Sequence, residues 1–302
     1  MFKIHNVFNK HSVNLIDNFK FWQILKLLRP HQYYKNLLIY VGLIFGGQFT
    51  DINKLVICTF GFIVLCMISS AGYVYNDIVD KEIDKYNSEK ALRPITLGII
   101  STNFAKILIL VCCAIGTIIW MTIYNWIFLL LTYMILINTI IYTNIGKKLP
   151  FVEILQISIN YIMRIYSGCV ITNIDPSLWL IVIGFIFAIF LIIAKRYNEL
   201  IFLGENAIKS RNVYSFYTEK ILNRILVISG VVLIVIFTIY VFNHESLIMI
   251  LNLPVLFLVI FRLYFLTTYT EKGRNFHLML IDKYIFSLSI MFFIIVYYSI
   301  YL

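Results

Sequence analysis

Apolar residues in this chain fall in long unbroken runs instead of at the i, i+3, i+4 spacing of a surface helix. Runs at 55–75, 104–124, 126–142, 151–171, 178–194, 225–242, 247–266 and 284–302 each approach the ~20 residues a helix needs to cross a bilayer core. A further run, 36–50, is short by itself. It reaches spanning length only if its helix begins near Trp22, ahead of Arg29-Pro30. The pattern therefore predicts an all-α, polytopic membrane protein of about nine spans, the first the least regular. The ~10-residue alternating segments of a membrane barrel are not visible. Five Pro and thirteen Gly suit helices.

Composition agrees: 61% of the 302 residues are hydrophobic and 13% charged, more apolar surface than a soluble domain of this length can bury. Residues 1–21 form a polar, mixed segment expected to lie in the cytoplasm, and 22–302 a single transmembrane domain. No apolar stretch near the start ends in a cleavage site, so the first spans are expected to act as the insertion signal. The cysteines (Cys58, Cys66, Cys112, Cys113, Cys169) sit in apolar runs without metal spacing and read as small buried hydrophobes.

The net charge of +10 changes the picture only through its distribution. Of the 25 Lys and Arg, Lys54 lies on one side of the predicted spans, and Arg164 and Arg262 lie within spans. All the others share the opposite side, which the positive-inside rule makes cytoplasmic. That distribution argues for a plasma-membrane protein in contact with anionic lipid, and against a nucleic-acid partner. It places the N-terminus inside and, with nine spans, the C-terminus outside. Arg262, near the cytoplasmic end of its span, is expected to snorkel. Tyr297, Tyr298 and Tyr301 read as interfacial belt.

Chemistry gathers on the cytoplasmic side. The second span ends in Asn76-Asp77-Ile78-Val79-Asp80-Lys81-Glu82-Ile83-Asp84. Asp77, Asp80 and Asp84, at i, i+3 and i+7, share a helix face that Asn76 borders. A DxxD by itself is equally a solvated helix end balanced by Lys81 and Lys85. Three like charges directly after an apolar span are costlier and point to a task. Mg²⁺ would relieve the repulsion, and it commonly joins one or two carboxylates to substrate phosphates. Pro94 and Gly98 break the following segment, leaving Lys90 and Arg93 in a loop able to fold back over the acidic face. Arg164, in mid-span, is too costly to face lipid and should face an interior, with Asn160 one turn away.

These features resemble the UbiA-type intramembrane prenyltransferase superfamily, and more narrowly its decaprenyl-phosphate phosphoribosyltransferase branch. Arg29-Pro30-His31-Gln32-Tyr33-Tyr34-Lys35-Asn36 is similar to that branch's opening R-P-x-Q-x-x-K-N. Ser69 to Asp77 resembles its approach to the acidic motif. Tyr142-Thr143-Asn144-Ile145-Gly146-Lys147-Lys148 resembles Y-S-x-x-L-K-R, and Ala194-Lys195-Arg196-Tyr197-Asn198-Glu199-Leu200 resembles G-K-R-x-x-E-L. The resemblance implies spans around a central cavity open to the cytoplasm. It also implies Mg²⁺ held by Asn76, Asp77, Asp80 and Asp84, the three aspartates being catalytic. The implied reaction moves 5-phosphoribose from phosphoribosyl diphosphate to a polyprenyl phosphate. Substrate contacts are then expected from Arg29, Lys35, Asn36, Lys90, Arg93, Tyr142, Lys147, Lys148, Glu153, Asn160, Arg164, Lys195, Arg196 and Glu199. A lipid phosphate is already anionic, so no general base is needed, and the five His form no cluster.

Two departures bear on the choice of donor. Glu153 and Ile157 stand where the superfamily's second acidic motif has D-x-x-x-D, and Ala91 stands where the branch often has Arg. The rival readings are a prenyltransferase using a prenyl diphosphate and a non-enzymatic transporter of phosphate-bearing lipids.

Overall fold

A computed structural model describes residues 21–85, 90–204, 207, 212–244, 246–274, 278–279 and 281–301. The expected cytoplasmic segment, apart from Phe21, lies outside the described residues. The helices that matter here are, in order, α1 (21–28), α2 (Val41–Phe45), α3 (Ile52–Asp84), α4 (Thr102–Trp120), α5 (Trp126–Asn144), α6 (Val152–Ile171), α7 (Leu178–Leu203), α8 (Glu219–Phe242), α9 (Asn252–Tyr269) and α10 (Lys283–Tyr301). Among the described residues, eight helices are long and apolar enough to cross a membrane.

The first of the expected spans, the least regular, is not a continuous helix. The expected first span is broken into α1, a 3-10 stretch Pro30–Tyr40 and the short α2. Pro30 removes a backbone donor at the break. Arg29 before it takes φ 55° and ψ 57°, a left-handed conformation that costs a non-glycine residue about 1–3 kcal/mol. The broken segment still runs antiparallel to α3 along most of its length. Arg29 meets Asp77, Tyr33 meets Ser70, Asn36 meets Ser69 and Cys66, and Tyr40 meets Thr59. At the far end the Tyr301 hydroxyl accepts from the Phe49 amide at 2.7 Å and lies 3.3 Å from the Leu43 and Ile44 carbonyl oxygens. Tyr301 is thus a clasp between the first and last elements, beyond the interfacial role expected of it.

Helix starts follow local chemistry. Asp51, Ser101, Asn125, Ser177 and Thr218 each accept a backbone N–H at the first turn of α3, α4, α5, α7 and α8, the ordinary way orphan donors are satisfied. α3 has 33 residues, or ~50 Å at 1.5 Å per residue, against a hydrocarbon core of ~30 Å. Its last turns, carrying the acidic motif, therefore project past the core.

Packing divides into two main apolar clusters. The broken segment, α3, α4, α5 and α6 enclose Ile39, Leu43, Leu65, Ile68 and Phe128. α6, α7, α8 and α9 enclose Phe190, Ile193, Leu226 and Leu263. Gly168 sets the first contact: a Cβ there would lie 1.8 Å from the Ile39 carbonyl oxygen. Only a glycine lets the broken segment lie directly on α6.

Arg262 does not simply snorkel. Its guanidinium donates twice to the buried Asp282, at 3.1 and 2.8 Å, and stacks over Tyr284 with 4.7 Å to the ring centre. Asp282 also caps the first turn of α10. The Arg262 hydrogen bonds hold the Asp282 carboxyl below its usual range.

Candidate active site

The acidic motif occupies the end of α3, where Asp77 and Asp84 are almost fully buried. Residues seven apart on a helix nearly eclipse, and one side chain joins these two. Arg93 Nη1 lies 2.9 Å from Asp77 Oδ1 and also donates to Asp84 Oδ2. Arg29 donates to Asp77 from the strained bend before Pro30. The loop that brings Arg93 here turns back through Gly98, whose φ is +74°. Ile95 anchors it in a buried cluster with Leu27 and Val74.

Asp80 belongs to a neighbouring set. It pairs with Lys147 and accepts from the Asn76 amide at 3.1 Å, and Asn76 Oδ1 accepts from Thr143 at 3.2 Å. The 3-10 turn Gly146–Lys148 that carries Lys147 leaves Lys148 exposed. Lys90 stands within electrostatic reach of Asp84. The four expected metal ligands thus divide into a carboxylate pair and an Asp80–Asn76 set. Among the described residues no group of three or more His, Cys, Asp or Glu is arranged to hold an ion. Two carboxylates that share one guanidinium nitrogen fit a hydrated divalent ion completed by phosphate oxygens and water. That is the usual manner of Mg²⁺ and not of an all-protein cage.

Behind this rim the interior is polar and cationic. Arg164, buried in the middle of α6, donates to Asn36 Oδ1 at 2.8 Å and to the Asn160 carbonyl at 2.6 Å, and reaches Ser69 Oγ at 3.4 Å. Asn160 contributes only that carbonyl; its side chain turns to Asn138 and Thr139 on α5. Lys35, Tyr73 and Tyr161, on the broken segment, α3 and α6, are each half-buried.

A third set lies toward the end of α7. Arg196 grips both oxygens of Glu153, at 2.8 and 3.0 Å, and donates to Glu199 at 2.9 Å. Its contact with the Tyr142 hydroxyl is a long 3.5 Å. Glu153 is fully buried and Arg196 nearly so. Tyr214 donates to Glu199, and Lys195 lies 3.9 Å from the same carboxylate. Tyr217 reaches Glu153 at 3.5 Å; burial pushes its hydroxyl up to about 12, so it remains a donor. Arg196 and Glu153, expected among the substrate contacts, are thus committed to each other. Sequence reasoning missed Tyr214, Tyr217 and Ser69. Ser69 carried the clearest signal, the first of two adjacent serines one helical turn before Tyr73 in a mainly apolar span.

Apolar helices here carry a carboxylate pair, cationic loops and a buried arginine, a set of groups chemically suited to phosphate oxygens. The chain belongs to the UbiA prenyltransferase family, whose sequence profile matches residues 37–300, and with its long apolar helices is a multi-pass membrane protein. It is 33% identical over 177 residues to the uncharacterized protein y4nM of Sinorhizobium fredii, a match covering 58% of this chain and 34% of that protein. The chain thus spans only about a third of that relative. It is 26% identical over 230 residues to a decaprenyl-phosphate phosphoribosyltransferase of Mycobacterium tuberculosis, covering 74% of this chain and 75% of that one. The fold matches a UbiA homolog from Archaeoglobus fulgidus bound to GPP and Mg²⁺, with a TM-score of 0.70 and 16% identity over 93% of this chain and 100% of that one.

Proposed function

We propose that the protein transfers 5-phosphoribose from 5-phosphoribosyl diphosphate to a polyprenyl phosphate on the cytoplasmic face of the plasma membrane. The observation that carries this reading is the bidentate Arg196–Glu153 pair. It leaves Glu153 without a free oxygen for a second ion, so the diphosphate is held by one acidic cluster and cations. The relatives named decaprenyl-phosphate phosphoribosyltransferase support the same donor.

Asp77 and Asp84 would hold Mg²⁺, which when bound supplies positive charge to the leaving diphosphate. Arg93 and Arg29, already beside these carboxylates, bind diphosphate oxygens; Arg can do so bidentately. Lys90 and Lys147 extend the cationic rim. As the bond from ribose C1 to the diphosphate oxygen breaks, the sugar carbon becomes electron-poor, and a lipid phosphate oxygen forms the new bond. That oxygen carries no proton, so none has to be moved. Membership of an enzyme family sets aside the transporter reading, while a prenyl-diphosphate donor remains the rival.

The test is turnover by the purified full chain with labelled phosphoribosyl diphosphate and a polyprenyl phosphate, beside geranyl or farnesyl diphosphate with the same acceptor. Lipid-linked label from the first donor alone is expected. Consumption of the allylic diphosphates alone would overturn the reading and leave a UbiA-type prenyltransferase.

A further inference from the structure

Two cations inside the bundle have no acidic counterpart among the described residues. Arg164 is 6% exposed; its guanidinium is oriented by Asn36, Ser69 and the Asn160 carbonyl, all neutral. Lys35, on the broken segment, is half-buried and stands within electrostatic reach of Arg164, Lys195 and Arg29. Its closest aromatic contact is Tyr34, with 5.8 Å to the ring centre. The other cations of the region are balanced locally, Arg29 by Asp77 and Lys195 by Glu199. Burying an uncompensated charge is strongly unfavourable. Here like charges add to that cost. The excess is two positive charges brought together by Asn36, which follows Lys35 in the chain and accepts the Arg164 hydrogen bond at 2.8 Å.

We propose that Lys35 and Arg164 form a second anion site, separate from the Asp77–Asp84 pair, that binds a phosphate monoester. The charge is matched: a monoester carries about −1.5 to −2 at pH 7, against two unpaired cations. The geometry also suits it. Arg164 is pre-oriented by neutral acceptors that do not neutralise it, and Lys35 supplies a mobile point charge. The chemistry has two sources in the proposed reaction, the 5-phosphate of the donor and the phosphate of the acceptor lipid. The inference deepens the phosphoribosyl reading but does not stand or fall with it, because a lipid monophosphate would fit the same charges.

The experiment compares wild type with Lys35→Gln and Arg164→Lys in nanodiscs. Affinities for ribose 5-phosphate, for farnesyl phosphate and for inorganic diphosphate with Mg²⁺ are read from thermal stabilisation against ligand concentration. Lys35 makes no hydrogen bond or ion pair among the described residues, so Lys35→Gln strands no partner and keeps the test open if Arg164→Lys fails to fold. The expected result is a tenfold or greater loss of affinity for one phosphomonoester with inorganic diphosphate held within twofold. Loss for ribose 5-phosphate assigns the site to the donor; loss for farnesyl phosphate assigns it to the acceptor. Unchanged affinity for both monoesters in Lys35→Gln overturns the site. An equal loss for inorganic diphosphate also overturns it, because the two anion sites would then be one. Failure of wild type to turn over phosphoribosyl diphosphate, with farnesyl phosphate binding still sensitive to Lys35, would reject the donor assignment and keep the site.

Discussion

At the scale of the residue, the site is a matter of which charges are matched. Asp77, Asp80 and Asp84 each touch a cation, from Arg29, Arg93 and Lys147. A divalent ion arriving alone would add charge to a balanced cluster, so Mg²⁺ is expected to bind weakly alone and tightly with diphosphate. Calorimetry with Mg²⁺, with and without diphosphate, measures that coupling. Replacing Asp77 by Asn keeps its shape and removes its charge, and turnover should fall by at least ~10²-fold, the order lost with one electrostatic stabiliser. Retention of activity within a few fold at saturating Mg²⁺ would remove Asp77 from the metal site. The Arg196–Glu153 pair makes a different prediction. Glu153→Gln removes the buried carboxylate that Arg196 grips with two bonds and leaves it only Glu199 as counter-charge, a loss of up to about 3–5 kcal/mol. The double variant Glu153→Leu with Arg196→Met should recover much of that stability. Melting of the purified variants decides between coupling and simple additivity.

Helices fix which of these residues meet, and this is where the sequence was most and least legible. The eight long runs and the acidic face at the end of α3 could be read directly, because apolar length and i, i+3, i+7 spacing are local properties. The return of Arg93 over that face followed from Pro94 and Gly98. The division of the aspartates between Arg93 and Lys147 could not be read, because it depends on where two distant loops arrive. Nor could the commitment of Arg196 to Glu153, which lie 43 positions apart. The broken first segment was legible in Arg29-Pro30, but its contact with α6 was not. That contact rests on Gly168, and Gly168→Val should displace the segment by forcing a side chain into the Ile39 carbonyl. A lower melting temperature together with lost donor binding is expected, since Lys35 and Asn36 ride on the same segment. The start of α10 predicts a pH effect. Asp282 has a folded-state pKa below its unfolded value, so its contribution is present above the unfolded value, near pH 4, and is lost as pH falls through the folded one. Melting temperature should drop in that acidic window, and Asp282→Asn should flatten the drop.

The molecule as a whole is polarised. The carboxylates, the Arg93 loop and the Gly146–Lys148 turn gather at one end of the bundle, whereas Asp51 and Tyr301 lie at the other. Reporter fusions after Lys148 and after Arg211 should register cytoplasm, and a fusion at Leu302 the opposite side. A cytoplasmic signal at Leu302 would mean that the broken segment does not cross.

The Tyr301 clasp has a consequence in time. It joins residues 258 positions apart, and the segment it secures carries Arg29 and Lys35. A ribosome adds about 5–20 residues per second, so the early segment waits roughly ten to fifty seconds for its partner to emerge. Throughout that interval the half of the site borne by the segment has no clasp. Competence to bind phosphate should therefore appear late and abruptly during synthesis, when the last helix enters the bilayer.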